Sequence, residues 1–216
     1  TAYAQTGSNG IDITDSSADN TITDADELVD YIRITNGGSD IIKLNLDTNS
    51  SSADATWVGA GGGTTDLIYG FKTGATASGG DVLDLTAFDI DAATTTQANW
   101  FNDGSSTDAG LQAIQSLSAG DQHDDFALDH TLTLVDSDDV STFADAQIAA
   151  IGVTGAYELT DNHKAIVLYG NFSSTDTDID VFLFTETGIA TEYATRTATL
   201  KNVDATGFVM DNFLIT

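Results

Sequence analysis

Two short glycine-led segments each end in an aspartate and run straight into apolar residues. They are Gly37-Gly38-Ser39-Asp40-Ile41-Ile42 and Gly79-Gly80-Asp81-Val82-Leu83. Glycine lets the backbone turn through positive φ. A carboxylate placed just after such a turn can cap backbone N–H groups or supply oxygen to a hard cation. Calcium is the cation this chemistry suits, because it takes carboxylate and turn-carbonyl oxygens. On that reading Asp40 and Asp81 are the leading candidate ligands, with Asp84, Asp47 and Asp66 behind them, and Gly37, Gly38, Gly79 and Gly80 are the turn glycines. The same acids making Asx turns is the alternative, and the residues leave both open.

Other chemistries find less support. The chain has no HExxH, GxSxG, GxxxxGK[ST] or GxGxxG pattern. Gly61-Gly62-Gly63 is followed by no lysine and lies in a strongly anionic chain, a poor cradle for phosphate. His123 and His130 flank Asp124, Asp125 and Asp129 without the spacing of a closed metal site, and they read as surface histidines of an acidic loop. Haem capture by a His/Tyr pair has no supporting spacing. No enzyme is expected.

Composition sets the frame. The 216 residues hold 34 Asp and Glu against 6 Lys and Arg, a formal charge of −28, which disfavours nucleic acid and anionic lipid as partners. Cysteine is absent, which excludes disulfides and thiolate metal sites, and so is proline, so every backbone N–H can donate to a ladder. No apolar run reaches the about 18–20 residues needed to cross a bilayer, and residues 1–10 have no signal-peptide pattern. The first residue is not Met, and the chain reads as a piece of something longer.

The elements that must position these residues are mostly strands. Glu27–Asp47 and Thr65–Asp89 share one grammar: apolar pair, glycine turn, aspartate, apolar pair. Aligned by eye, Leu28-Val29 matches Leu67-Ile68, Tyr31-Ile32 matches Tyr69 to Phe71, and Asp40 matches Asp81. Ile11–Ile13, Ile41–Leu46, Thr131–Val135, Ala165–Tyr169, Asp180–Phe184, Ala194–Leu200 and Asn212–Ile215 read as strands from alternation and β-branched content. Ser173–Asp180 reads as an acidic hairpin turn. Asp24–Glu27 can cap a short helix through Tyr31, Ala109–Leu117 can be helical, and Ser141–Ile151 carries a helix cap at one end and Gly152 at the other. The fold class expected is mainly β, a β-roll or β-sandwich-like domain with one or two short helices. Residues 1–89 form one degenerate unit and 90–216 a β-rich C-terminal part, possibly in one continuous domain.

Thr65–Phe88 resembles the segment that closes the repeats of RTX proteins, D-x-I-x-x-F-x-x-G followed by D-x-L-D-L-S, through Asp66, Ile68, Phe71, Gly74, Asp81, Leu83, Asp84, Leu85 and Thr86. Gly37–Ile42 is similar to a single GGxGxDxΦx repeat without its third glycine. Val181–Thr216 resembles the end of large RTX-like adhesins and surface-layer proteins, with Asp211, Asn212, Phe213, Leu214 and Ile215 in the place of the terminal export motif. The resemblance covers about half of the chain, and intact repeat tandems are missing. It implies Ca2+ as cofactor, export by a type I transporter that reads an uncleaved C-terminal signal, and folding outside the cell.

The expectation is therefore a non-catalytic, secreted, extracellular module of a calcium-dependent surface-layer protein. It would self-associate on the cell surface, without nucleic acid and without membrane insertion. The alternative is the C-terminal binding or secretion domain of an RTX adhesin, with a glycan or cell-surface ligand, or of a secreted hydrolase. Trp57 and Trp100 are candidate glycan contacts in that alternative, though buried aromatic anchors are the commoner role for such residues.

Overall fold

The computed structural model describes residues 2–4, 12–23, 30–44, 65–88, 132–136, 164–186 and 192–215. Among these described residues, twelve strands fall into two sheets. β1 (Ala2–Ala4), β3 (Thr21–Thr23), β5 (Ile41–Lys43), β7 (Val82–Asp84) and β12 (Phe213–Leu214) lie side by side in the first sheet, all parallel. The second sheet holds β2 (Asp12–Thr14), β4 (Tyr31–Arg33), β6 (Asp66–Tyr69), β11 (Glu192–Val203), β10 (Thr177–Glu186), β9 (Lys164–Gly170) and β8 (Leu132–Asp136), in that order.

Chain order and sheet order together define a coil. From β1 to β7 the chain alternates between sheets, and each strand pairs in parallel with the strand two before it. The result is a parallel β-roll with two strands per turn. Strands of three or four residues suffice, because each side chain pointing inward meets the opposite sheet and the rungs above and below it. Ile22, Ile42, Leu83 and Phe213 line the inside of the first sheet, and Ile32, Ile68, Ala198 and Leu200 that of the second; all are buried. The short strands alternate strictly, as a period of two requires: β3 and β4 each bury only their central isoleucine.

The C-terminal strands β11 and β12 join the two sheets beside β6 and β7. β11 lies parallel to β6, with Lys201 opposite Tyr69, and β12 lies parallel to β7, with Phe213 opposite Leu83. Residues 192–215 are thus a further coil of the same roll, separated in sequence from the coil they stack on. On its far side β11 pairs antiparallel with β10, β10 antiparallel with β9, and β9 parallel with β8. The segments before and after residue 89 accordingly share both sheets and one apolar core. Phe208 closes the end of that core. Its ring stacks on Phe213 with centroids 5.4 Å apart and lies 6.2 Å from Phe71 and 6.1 Å from Phe172.

The β-dominated class holds, and every strand expected from alternation is present, each with its bounds shifted by a few residues. The turn expected over Ser173–Asp180 lies between β9 and β10, with β10 beginning earlier, at Thr177. Two readings need correction. Leu67 and Ile68 pair with Tyr31 and Ile32, not with Leu28 and Val29, because the two turns differ in length: residues 34–40 against 70–81. An alignment that spreads the extra residues over both strands misplaces the first strand by three positions. Tyr31 is also the first residue of a strand rather than the end of a helix from Asp24. The candidate helices at 109–117 and 141–151 lie outside the described residues. The helical elements described are 3-10 turns at Thr76–Ser78, Thr86–Phe88, Ala205–Gly207 and Met210–Asn212.

Candidate functional site

Four coils cross from the second sheet to the first, and the residue just before the incoming strand is Asn20, Asp40, Asp81 or Asn212. These four stack in one column and are almost completely buried, at 3%, 1%, 1% and 0% exposure. A buried polar group must find partners, and here they come from the residue's own turn and from the neighbouring one. Asp40 Oδ1 accepts the Asn20 backbone N–H at 2.8 Å and the Asn20 side-chain amide at 3.0 Å. Asp81 Oδ1 accepts the Asp40 N–H at 2.8 Å, and its Oδ2 accepts the Lys72 N–H at 2.7 Å. Asn212 uses both ends of its amide. Oδ1 accepts from Gly74 and Val209 N–H at 3.1 and 2.9 Å, while Nδ2 donates to the carbonyls of Gly74 and Asp81 at 2.9 and 2.8 Å.

The turn backbone makes this column possible. Gly37 and Gly38 sit at φ +88° and +120°, and Gly79 at +84°. Gly80 is needed for space: a Cβ there would lie 2.0 Å from the Gly74 carbonyl oxygen. Gly70 and Asn202 occupy equivalent places, one residue after the paired Tyr69 and Lys201, and both have positive φ, +81° and +53°. Asparagine is among the few residues that tolerate this conformation.

The other acids have separate duties. In the opposite row of turns Asp66 Oδ1 accepts the Asp30 N–H at 2.9 Å. Asp15 Oδ1 accepts N–H from both Thr35 and Asn36 at 3.1 Å. Asp84 caps a 3-10 turn: its Oδ1 accepts the Thr86 N–H at 3.1 Å and hydroxyl at 2.6 Å, and its Oδ2 lies 3.3 Å from Lys43 Nζ. Asp204 repeats this cap on Thr206 at 3.2 and 2.6 Å. Asp84-Leu85-Thr86-Ala87-Phe88 and Asp204-Ala205-Thr206-Gly207-Phe208 are thus one D-x-T-x-F motif used twice, with a buried phenylalanine at its end each time.

Of the five candidate calcium ligands, the fold brings Asp40 and Asp81 into one column, puts Asp66 in the other row of turns and gives Asp84 to a cap; Asp47 lies outside the described residues. Calcium takes six to eight oxygens, and among the described residues no three acids or histidines gather as a metal group. At Asp40 and Asp81, moreover, N–H dipoles point their positive ends at the oxygens a cation would need. This donor set fits a hydrogen-bonded ladder and does not fit a calcium cage. Burial pushes the Asp81 carboxyl up to about 6. The N–H groups of Asp40 and Lys72 hold it back, and the nearby Asp40 charge adds to the rise. His123, His130, His163, Trp57 and Trp100 lie outside the described residues.

The Asp211–Ile215 segment also has a definite place. Asn212, Phe213 and Ile215 are buried, Leu214 is exposed at 37%, and the Leu85 N–H donates to the Leu214 carbonyl at 2.7 Å. The signal that could have found this column is the recurrence of Asn or Asp one residue before a short apolar strand, at 20, 40, 81 and 212. The irregular spacing hid it, and only the middle two carry glycine pairs. No family model, no curated protein and no solved structure matches this chain.

Proposed function

We propose that this chain is a non-catalytic structural module of a secreted, extracellular surface-layer protein that self-associates on the cell surface. The observation that carries this reading is the use made of the buried polar side chains. Asn20, Asp40, Asp81 and Asn212 are spent on the backbone of neighbouring turns, which holds a roll in shape and leaves them no solvent access for a reaction. The coiled parallel architecture with glycine turns agrees with the RTX resemblance. Calcium is not needed at Asp40 or Asp81 in this reading, and any calcium dependence would come from other acids. The C-terminal motif would serve as an export signal only before the last coil closes, since Phe213 and Ile215 are then buried.

Three measurements test the proposal. Light scattering with rising protein concentration should show association. A chain that stays monomeric throughout and binds a glycan on an array would favour the adhesin reading. Melting with and without EDTA separates the ladder from calcium: unchanged melting means the ladder holds the roll alone, and a large loss would restore calcium to these turns. Deleting residues 205–216 should trap the parent protein inside the cell, and normal secretion would defeat the export assignment.

A further inference from the structure

We infer that Asn36 is a site of self-modification, closing on the Gly37 nitrogen to a succinimide that water opens to aspartate or isoaspartate. The grip of Asp15 on the same side chain sets the pace. Asn36-Gly37 lies in the turn that joins β4 to β5. Ring closure needs the next peptide nitrogen to reach Cγ of the asparagine, and glycine, without a Cβ, leaves that approach open. Asn36 is exposed, and among the described residues the Gly37 N–H meets no acceptor, so no hydrogen bond opposes loss of its proton. Lys72 Nζ lies 3.7 Å from the point a Gly37 Cβ would occupy. Its positive charge favours the nitrogen anion and the oxyanion that follows. The other described asparagines are poorer candidates. Asn20, Asn171, Asn202 and Asn212 are followed by Thr21, Phe172, Val203 and Phe213, whose branched or aromatic side chains crowd the attack, and Asn20 and Asn212 are buried.

The reaction needs only water and hydroxide. Hydroxide takes the Gly37 N–H proton, and the nitrogen attacks Asn36 Cγ. The Cγ–Nδ2 bond breaks, and ammonia leaves with a proton returned by the water just formed. A second water then cleaves the ring. Cleavage at Cγ leaves aspartate. Cleavage at the main-chain carbonyl of residue 36 leaves isoaspartate, in which the main chain runs through Cβ and Cγ and is longer by a methylene. Either product carries a new carboxylate in place of an amide.

Asp15 both delays this step and feels its result. Asn36 Nδ2 donates to the Asp15 carbonyl at 2.6 Å and to Asp15 Oδ1 at 3.0 Å. The Asn36 N–H donates to the two oxygens of the same carboxylate at 3.1 and 3.3 Å. Turning the side chain onto the Gly37 nitrogen means leaving Asp15, so each closure waits on a local opening of the turn. After conversion an acceptor stands where Nδ2 stood, against a carboxylate that is 6% exposed, and like charges so placed repel. The turn then keeps the coil before it only through Ser39 N–H on Asp19, at 3.0 Å, and the bonds of Asn20 to Asp40. The device is a clock set in the first coils of the roll. It runs slowly while Asp15 holds, and each event loosens that hold. It operates whether or not the chain self-associates.

Ageing the whole folded chain in mildly alkaline buffer, then mapping its peptides against synthetic aspartate and isoaspartate standards, tests this. The wild type should accumulate both products at residue 36, with isoaspartate in excess, and none at residues 20, 202 and 212. Asn9-Gly10, outside the described residues, is the same dipeptide and is read on its own peptide. Asp15→Ala, checked for folding by circular dichroism, should speed conversion at least about tenfold, the rate equivalent of one hydrogen bond to a charged group. Lys72→Gln, at an exposed position, should slow it about two- to fivefold, and it stands in should Asp15→Ala fail to fold. Asn36→Asp should melt below the wild type, and Asn36→Gln, which closes its larger ring poorly, should stay unconverted. A folded chain that keeps asparagine at residue 36 while the same chain in urea converts would overturn the inference. A rate unchanged in Lys72→Gln and in folded Asp15→Ala would overturn the control by the turn. Equal melting of Asn36→Asp and the wild type would overturn the loosening.

Discussion

Asp81→Asn discriminates between a hydrogen-bonded ladder and an ion site at the centre of the roll. Asp81 is 1% exposed and its carboxyl is pushed up from 3.8 to about 6, by burial above all. The folded chain therefore holds this proton more tightly than the unfolded chain between about pH 4 and pH 6. Stability falls as pH rises through that window, and the cost is fully present above it. A displacement of about two pH units corresponds to about 3 kcal/mol at 1.36 kcal/mol per unit. Asparagine cannot ionise, so the variant loses this pH dependence while every other acid titrates as before. At pH 4 both side chains are neutral, but the amide has a single acceptor oxygen and must turn its NH2 toward the Asp40 or the Lys72 N–H, so the variant should melt below the wild type there, by about 1–3 kcal/mol for the one buried donor left unmet. Near pH 7.5 the variant should have gained about 3 kcal/mol relative to the wild type, or roughly 6–12 °C at 2–4 °C per kcal/mol for a chain of this size. The assay is thermal melting by circular dichroism of both proteins from pH 4 to 7.5, with calcium and with EDTA. A bound cation would hold the carboxylate down and make the wild type gain stability as pH rises. A wild type that outgrows the variant toward neutral pH, in calcium but not in EDTA, would refute the ladder argument.

Further predictions concern the turns and the returning coil. Asn212→Leu removes partners from two N–H groups and two carbonyls in the buried end of the column. At about 1–3 kcal/mol for each buried group left unmet, it should cost at least about 3 kcal/mol in a urea melt, and a loss below about 1 kcal/mol would remove Asn212 from its proposed role. Gly80→Ala should be far more damaging than Gly74→Ala. The first drives a Cβ to 2.0 Å from a backbone oxygen, whereas the second meets open space and only the strain of φ +110°, about 1–3 kcal/mol. Equal effects on melting would contradict the turn geometry. Asp204→Ala should cost about 1 kcal/mol, the value of a lost cap, and Asp84→Ala more, because it also strands Lys43 beside a buried site. A urea melt of the two variants compares them directly, and the reverse order would undo the assignment of one motif to two unequal sites.

What the amino-acid sequence determined by itself is local. The alternation of buried Ile22, Ile32, Ile42 and Ile68 with less buried neighbours makes strands, and the glycine pairs at 37–38 and 79–80 make turns, because a period of two and the freedom of glycine are written residue by residue. The pairing of Asp40 with Asp81 was legible too, since both end the same glycine motif. The tertiary structure decided everything that depends on which rung lies against which. That the roll begins before Glu27, that Asn20 and Asn212 belong to the same column, and that residues 192–215 return to stack on β6 and β7 are all consequences of parallel pairing across long stretches of chain. Parallel neighbours need no fixed loop length, so the sequence carries no spacing by which to recognise them. The same pairing decides what the aspartates do. A carboxylate after a glycine turn can hold a cation or a backbone N–H, and only the rung beside it, arriving with the Asp40 N–H 2.8 Å away, makes Asp81 the second.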